Sequence, residues 1–296
     1  MKTATRERLV IIMFLAALAL PIAYSIFVED GRVPRYWFLA TVVAIWLVQF
    51  VRDHRMLRRN TGDRQKGLTI FVEPVAWTGL KWAYRSFCAA TQAVGLEDRI
   101  EMFQWSSFWG AVLVVPDLLR LKRNLGYAQR LADRIAAHVA EYPDSPVHLV
   151  TYSSGGFIAL EALRRLPPGA KVRSVLLQTA TVSRDYDLTT ALAACGEIIN
   201  VWSPLDWPIN GIGSLVFGTN DRRHAVPAGT LPFRTSEQNS GGTLQQIRWQ
   251  PAFMRYGYFG EHFTALALPW TTHLLAEHRR RQATGGAMLV MPRNVS

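Results

Sequence analysis

Apolar and polar positions alternate along this chain in three distinct patterns. The longest apolar run is near the amino terminus, where residues 9–28, LVIIMFLAALALPIAYSIFV, pass twenty positions without a charge. As a helix this stretch reaches about 30 Å, the thickness of a bilayer's hydrocarbon core, and a membrane span tolerates the kink expected at Pro21. A second uncharged run, YWFLATVVAIWLVQFV at 36–51, follows the short link EDGRVPR, with Tyr36 and Trp37 at one end as interfacial anchors. The pattern predicts a transmembrane hairpin, with helices over 9–28 and 36–51, inside an anchor covering residues 1–66.

Beyond residue 66 the apolar runs shorten to strand length. Strands are predicted at 68–73, 100–105, 147–152, 174–180 and 198–203. Between them the period changes to that of a helix: Leu131, Ile135, Ala136 and Val139 share one face of a helix over 127–141. A second helix over 156–166 ends at Pro167, Pro168 and Gly169. Short strands alternating with helices predict an α/β domain over 67–284, with a mostly parallel sheet flanked by helices. The stretch 208–260, rich in Gly, Pro and Asn, reads mostly as loop, and 285–296 reads as a loose tail. The run WGAVLVVPDLL at 109–119 is apolar for a connection, and reads either as a buried element or as an apolar flap.

Composition narrows the class. Hydrophobic residues make up 49% of the 296, with ten tryptophans, which excludes a disordered chain. Cys88 and Cys195 form neither a disulfide framework nor a metal-ligand spacing, and read as small buried side chains. No zinc spacing, P-loop or dinucleotide fingerprint appears, so no metal or cofactor is expected; GIGSLVFG at 211–218 follows no clear strand. The formal net charge of +11 raises nucleic acid as a partner, but its distribution argues otherwise. Residues 1–66 hold 11 Lys and Arg against 5 Asp and Glu, so more than half the excess brackets the two apolar runs. Lys2, Arg6 and Arg8 precede the first run, and Arg52, Arg55, Arg58, Arg59, Arg64 and Lys66 follow the second. The link between them carries only Arg32 and Arg35. The positive-inside rule then predicts a two-pass membrane protein with the large domain in the cytoplasm. A cleaved signal peptide ending near Ala17-Leu18-Ala19 is the competing reading; the continuing apolar run and the second span speak against it.

Within the predicted domain, HLVTYSSGGFIALEAL at 148–163 has the form of strand, sharp turn and helix. A serine at such a turn stands above the carboxyl end of the sheet, where a base can reach its oxygen and the next backbone N–H can meet a developing oxyanion. Two registers are open. With Ser153 at the turn, Gly155 and Gly156 are the small residues that let strand and helix approach, and Thr151 stands where a glycine is usual. With Ser154 at the turn, the bulkier Tyr152 would take that place. Ser153 is the better nucleophile. Thr151 needs a small neighbour, for which Ala159 is a candidate.

On these residues the segment from about 67 to 280 resembles the α/β-hydrolase superfamily, of the serine esterase and lipase kind. The resemblance implies a triad ordered serine, acid, histidine, with each member on a loop after a strand. Asp206 follows the predicted strand 198–203 and takes the acid's place; Asp185 and Asp187, one strand earlier, are alternatives. His262, in RYGYFGEHFTALALPW, takes the base's place, with His224 second. Oxyanion donors would be the Ser154 amide and an amide from the loop after the first strand. Many relatives carry His-Gly there, whereas this chain has Glu73-Pro74. Pro74 has no N–H, which leaves Val75 or Ala76. The implied function is a membrane-anchored serine hydrolase acting on a carboxylic ester or related acyl bond, with a small-molecule or lipid-like hydrophobic substrate. The alternatives are a non-catalytic, membrane-tethered interaction domain of the same fold and a secreted esterase.

Overall fold

The computed structural model describes residues 40–53 except 42 and 52, together with 62–75, 80–107, 116–234 and 241–284. The chain divides into two units, Met1–Arg59 and Asn60–Ser296. In the first, residues 43–51 are helical. Val43, Leu47 and Val51, one turn apart, are exposed along one side, and Trp46 stacks on Phe50 at 5.1 Å. Among the described residues no helix is long and apolar enough to cross a membrane. The apolar run 9–28, the start of 36–51, most of 109–119 and the tail 285–296 lie outside the described residues.

The second unit is built on a sheet of six parallel strands. In chain order the elements are β1 (Asp63–Val72), α1 (Trp82–Ala93), β2 (Asp98–Phe103), α2 (Leu121–Glu141), β3 (Val147–Tyr152), α3 (Gly155–Leu163), β4 (Val172–Gln178), α4 (Thr189–Ala193) and β5 (Cys195–Trp202). A π-helical turn (Trp207–Gly211), α5 (Ile212–Phe217), β6 (Thr243–Arg248), two 3₁₀ turns (Pro251–Tyr256 and Phe263–Leu266) and α6 (Leu268–Thr284) complete it. The spatial order is β2-β1-β3-β4-β5-β6, every neighbouring pair parallel.

Why these segments pair is visible in their burial. β3 is buried at all six positions because it lies between β1 and β4 with helices on both faces, so VHLVTY reads as a continuous run rather than an alternating one. Leu68, Ile70 and Val72 of β1 point into the main core with Leu131 and Ile135 of α2 and Phe157 and Leu160 of α3. Phe71, on the other face, packs against Tyr84 and Phe87 of α1 at 5.9 and 5.0 Å. The order reverses between β1 and β3, since the chain leaves β1 to one side and returns on the other. That reversal opens a crevice at the carboxyl ends of the two strands, where open α/β sheets place their ligands.

The stretch 208–260 is irregular over most of its described residues, as expected, but it also holds α5, the edge strand β6 and a 3₁₀ turn. β6 escapes a periodicity reading because only Leu244 and Ile247 of TLQQIR are buried, a spacing of three that fits no strand template; Thr243 and Arg248 face solvent on the sheet's edge. The helix expected at 127–141 begins at Leu121, since Leu121 and Leu125 also pack on the core.

Candidate active site

Ser153 is the first of the two residues between β3 and α3, and its backbone shows what that turn demands. Its φ of +53° lies in the left-handed region that side chains other than glycine seldom adopt. The conformation is held from both sides: the Ser153 N–H donates to Gln178 O at 2.9 Å, and the Thr181 N–H donates to Ser153 O at 3.3 Å. Gly155 is required by close approach, because a Cβ there would stand 2.4 Å from Val72 O and 2.7 Å from Glu73 O. At Gly156 the closest neighbours of an added Cβ would be Ala180 Cβ at 3.2 Å and Leu177 Cδ2 at 3.5 Å, while Thr151 Oγ1, at 3.6 Å, would be in ordinary contact.

Thr151 carries a small penalty of its own. Its Oγ1 is fully buried and has no hydrogen-bond partner among the described residues. Thr151→Val, which keeps the shape and removes the stranded hydroxyl, should raise unfolding stability by about 1 kcal/mol in urea titrations. A loss of that size would mean the hydroxyl has a partner.

Three side chains from distant parts of the chain meet above this turn. His262 Nδ1 lies 2.9 Å from Asp206 Oδ2 and 3.1 Å from Oδ1, and its Nε2 lies 3.1 Å from Ser153 Oγ. A carboxylate can only accept, so Nδ1 carries the proton and Nε2 accepts from the serine hydroxyl. Asp206 is fully buried, and burial pushes its carboxyl pKa up. The donors that oppose this shift are His262 and Asn210, whose Nδ2 lies 3.2 Å from Oδ2. The backbone that carries the imidazole is held by Tyr152, which donates its hydroxyl to the His262 carbonyl at 2.6 Å. Thr181 Oγ1 is 3.2 Å from Ser153 Oγ and can donate to it while the serine proton points at His262.

The Ser154 amide, at the start of α3, has no acceptor among the described residues, as the first amides of a helix do not. The Val75 N–H donates to Ser154 Oγ at 3.0 Å, so it is engaged rather than open. Ala76 lies outside the described residues. Glu73 and Lys81, where the loop departs from the His-Gly pattern, form a nearly buried ion pair of 2.6 Å. Burial pulls the Glu73 carboxyl pKa up against that partner. Its carboxylate also accepts from Ser106 at 3.2 Å, and its carbonyl accepts from the Trp105 indole at 2.6 Å. Residues 73 and 81 are thereby pinned to one place, which tethers both ends of the loop between them.

The alternative assignments lie elsewhere. Asp185 is exposed and paired with Arg234 at 3.1 Å; Asp187 is exposed and accepts from the Thr189 amide at 2.9 Å. His224 is exposed, with Nδ1 3.0 Å from Leu215 O. Ser154 Oγ meets Val75 rather than a histidine. Thr181, Asn210, Tyr152 and the Glu73–Lys81 pair were not singled out from sequence. Each acts through a fold contact between segments, apart from Asn210, whose place four residues after Asp206 was a readable local signal. Both thiols are free, and burial pushes them up to about 11 for Cys88 and about 12 for Cys195, away from nucleophile chemistry.

No family model and no curated protein sequence matches the chain. Solved structures similar to it include a protein assigned to the α/β superfamily of hydrolases from Xanthomonas campestris pv. campestris (17% identity, 71% of this chain and 98% of that chain, TM-score 0.38). Others are a dienelactone hydrolase from Anabaena variabilis ATCC 29413 (15%, 73% and 87%, TM-score 0.40) and the carboxylesterase CesB from Bacillus subtilis (9%, 82% and 98%, TM-score 0.41). Likenesses this distant leave the chemistry of the site to be read from its own side chains.

Proposed function

We propose that this chain is a membrane-anchored serine hydrolase that cleaves a carboxylic ester or related acyl bond of a hydrophobic substrate. The observation that carries the reading is the unbroken line of contacts from Asp206 through His262 to Ser153, with the serine held at a positive φ. In the first half-reaction Ser153 Oγ attacks the acyl carbon while His262 Nε2 takes its proton. Asp206 holds the opposite N–H and balances the imidazolium charge. The negative charge on the former carbonyl oxygen falls near the Ser154 amide. The tetrahedral intermediate then expels the alcohol, which takes the proton from His262, leaving an acyl group on Ser153. In the second half-reaction His262 deprotonates a water that attacks this acyl-serine, and the acid and the free serine result. The hydrophobic substrate is supported by the Phe263 ring beside His262 at 5.8 Å and by Trp82 6.4 Å from Phe263. The anchor rests on the two apolar runs 9–28 and 36–51 and their basic flanks, which would hold the domain at the cytoplasmic face.

The direct test is labelling of the full chain with a fluorophosphonate probe, which reacts only with an activated serine. Wild type should label; Ser153→Ala should not, while Ser154→Ala should keep the label. A folded wild type that fails to react would sink the reading. Labelling that survives Ser153→Ala but not Ser154→Ala would move the nucleophile by one residue.

A further inference from the structure

We propose that the apolar rim around the mouth of this site docks the domain on an anionic lipid surface. The site serves here only as a landmark, and the test below needs no turnover. Among the described residues of the second unit, every large apolar side chain that is exposed lies in two segments, 205–217 and 254–263. These are the segments that carry Asp206 and His262, and the hydrogen bond between those two residues joins them. Leu205 also packs against Gly260, where an added Cβ would come within 2.9 Å of Leu205 Cδ1. The exposed residues therefore form one surface beside the active site.

The arm that leaves Asp206 is inside out. In the π-helical turn and α5, the side chains turned inward are polar: Asn210, which donates to Thr179 O at 3.1 Å, and Ser214 one turn later, both buried. The outward ones are apolar, with Ile212, Val216 and Phe217 56, 59 and 50% exposed. A helix on a water-soluble domain has the opposite arrangement. Phe259 and Phe263, 50 and 40% exposed on either side of His262, continue the surface. Leu215, Val216 and Phe217 are consecutive and all exposed, so the end of α5 protrudes. A protruding apolar tip can enter a fluid acyl layer without a matching pocket, which favours lipid over a shaped protein partner.

The charge beside the tip has the sign an anionic headgroup layer requires. The turn 219–224 folds back on the end of α5, with the Thr219 N–H donating to Arg223 O at 2.8 Å and His224 Nδ1 3.0 Å from Leu215 O. Arg222, Arg223 and His224 are exposed there. Arg222 also reaches Leu119 O at 3.2 Å, and Arg223 lies 3.8 Å from Asp221. The neighbouring acids are less exposed than the arginines: the Asp221 side chain is 9% exposed against 60% for Arg223 and accepts from Ser183 N at 2.9 Å, and Glu261, half-buried, accepts from Phe263 N and Thr264 N, each at 2.7 Å. Apolar residues at the tip and arginines at its edge match acyl chains beneath anionic headgroups.

The test places an environment-sensitive fluorophore on the full chain at Val216→Cys, with Cys88→Ser to leave no other accessible thiol. Lys171→Cys, exposed just before β4 at the opposite end of the sheet, is the control position. With vesicles of phosphatidylcholine and phosphatidylglycerol the probe at 216 should shift to the blue and escape an aqueous quencher, and the probe at 171 should do neither. The shift should be lost in Ile212→Ser/Phe217→Ser and should be smaller on pure phosphatidylcholine. A probe at 216 that stays in water while the chain sediments with the vesicles overturns the proposal. So does an equal response to neutral and anionic vesicles, or a shift that needs no lipid and grows with protein concentration, which would point to a second copy. Fluorophosphonate labelling of the same samples reports separately on Ser153, so failure of the hydrolase reading and failure of lipid docking are distinguishable.

Discussion

His262→Ala should lower kcat/KM for a chromogenic short-chain ester by about 10⁴-fold or more, equivalent to about 5.5 kcal/mol of transition-state stabilisation. In the proposed mechanism the imidazole has two tasks that no neighbour duplicates: it takes the serine proton and returns it to the leaving group. Ser153→Ala should cost as much, and the double variant little more, because the two groups act in one proton transfer and their losses do not add. Asp206→Asn should also cost on the order of 10⁴-fold, for a different reason. An asparagine can present N–H to Nδ1, which favours the tautomer with its proton on Nε2, and that ring cannot accept from Ser153. Ser153→Ala and Asp206→Asn are close in size to the native residues, so their circular dichroism should be unchanged while steady-state rates fall. Full activity in Asp206→Asn would transfer the acid's role to Asp185 or Asp187, which would then have to leave their exposed positions.

Acid should begin to destabilise the second unit through its buried histidines before the carboxylates that partners hold down are neutralised. His148 of β3 and His278 of α6 are buried and linked through Ser174 of β4, whose Oγ is 2.7 Å from His148 Nδ1 and 2.9 Å from His278 Nε2. Gln282 Nε2 is also 2.9 Å from His278 Nε2. Burial lowers the pKa of His148 to about 4 and of His278 to about 3, with Arg173 adding to the first and His148 and Arg281 to the second. Glu197 of β5 opposes this only weakly, 3.7 Å from His278 and 3.8 Å from Arg281, and Arg281 is also bonded to Gln245 of β6. The native state therefore keeps both rings neutral below pH 6.5, where the unfolded chain binds two protons. Stability is full above that value and falls as pH drops toward 4, with a limiting slope of about 2.7 kcal/mol per pH unit for two protons. His138 and His273, whose pKa values are also lowered by burial, act in the same direction. Carboxylates held down by partners, such as Glu101 beside Arg134, enter only below their ordinary range. Urea unfolding between pH 7 and 4.5 measures the slope. His278→Gln, which retains an acceptor and cannot titrate, should roughly halve the share due to this pair; an unchanged slope would remove it from the account.

The parts of this protein that were legible along the chain are those governed by near neighbours. Strands β3 to β5 and the second half of β1 are largely apolar because a parallel sheet is covered on both faces, and the runs that encode them lie near the observed limits, whereas β2, at the sheet's edge, buries only Ile100. Ser153 could be preferred to Ser154 because the turn between β3 and α3 is local: the other register puts bulky Tyr152 where a small residue is needed. In the structure Ser153 has the positive φ, and the Val72 and Glu73 carbonyls crowd Gly155. β6 was not legible, since an edge strand that buries two side chains leaves no periodic trace.

What remained open in sequence were relations between residues far apart. Asp206, Asp185 and Asp187 are chemically alike and all follow predicted strands. Only the packing of the loop after β5 against the segment before α6 brings one of them to a histidine 56 positions away. The same holds for the oxyanion corner, where Glu73 looked like a departure and is the partner of Lys81, and where the Val75 amide is engaged by Ser154. The chain by itself determined the alternation of elements, the sharp turn and the serine on it, because backbone sterics and burial act over a few residues. The tertiary structure alone decided which acid and which histidine face that serine, because a hydrogen bond depends on separation in space, and sequence distance does not carry it.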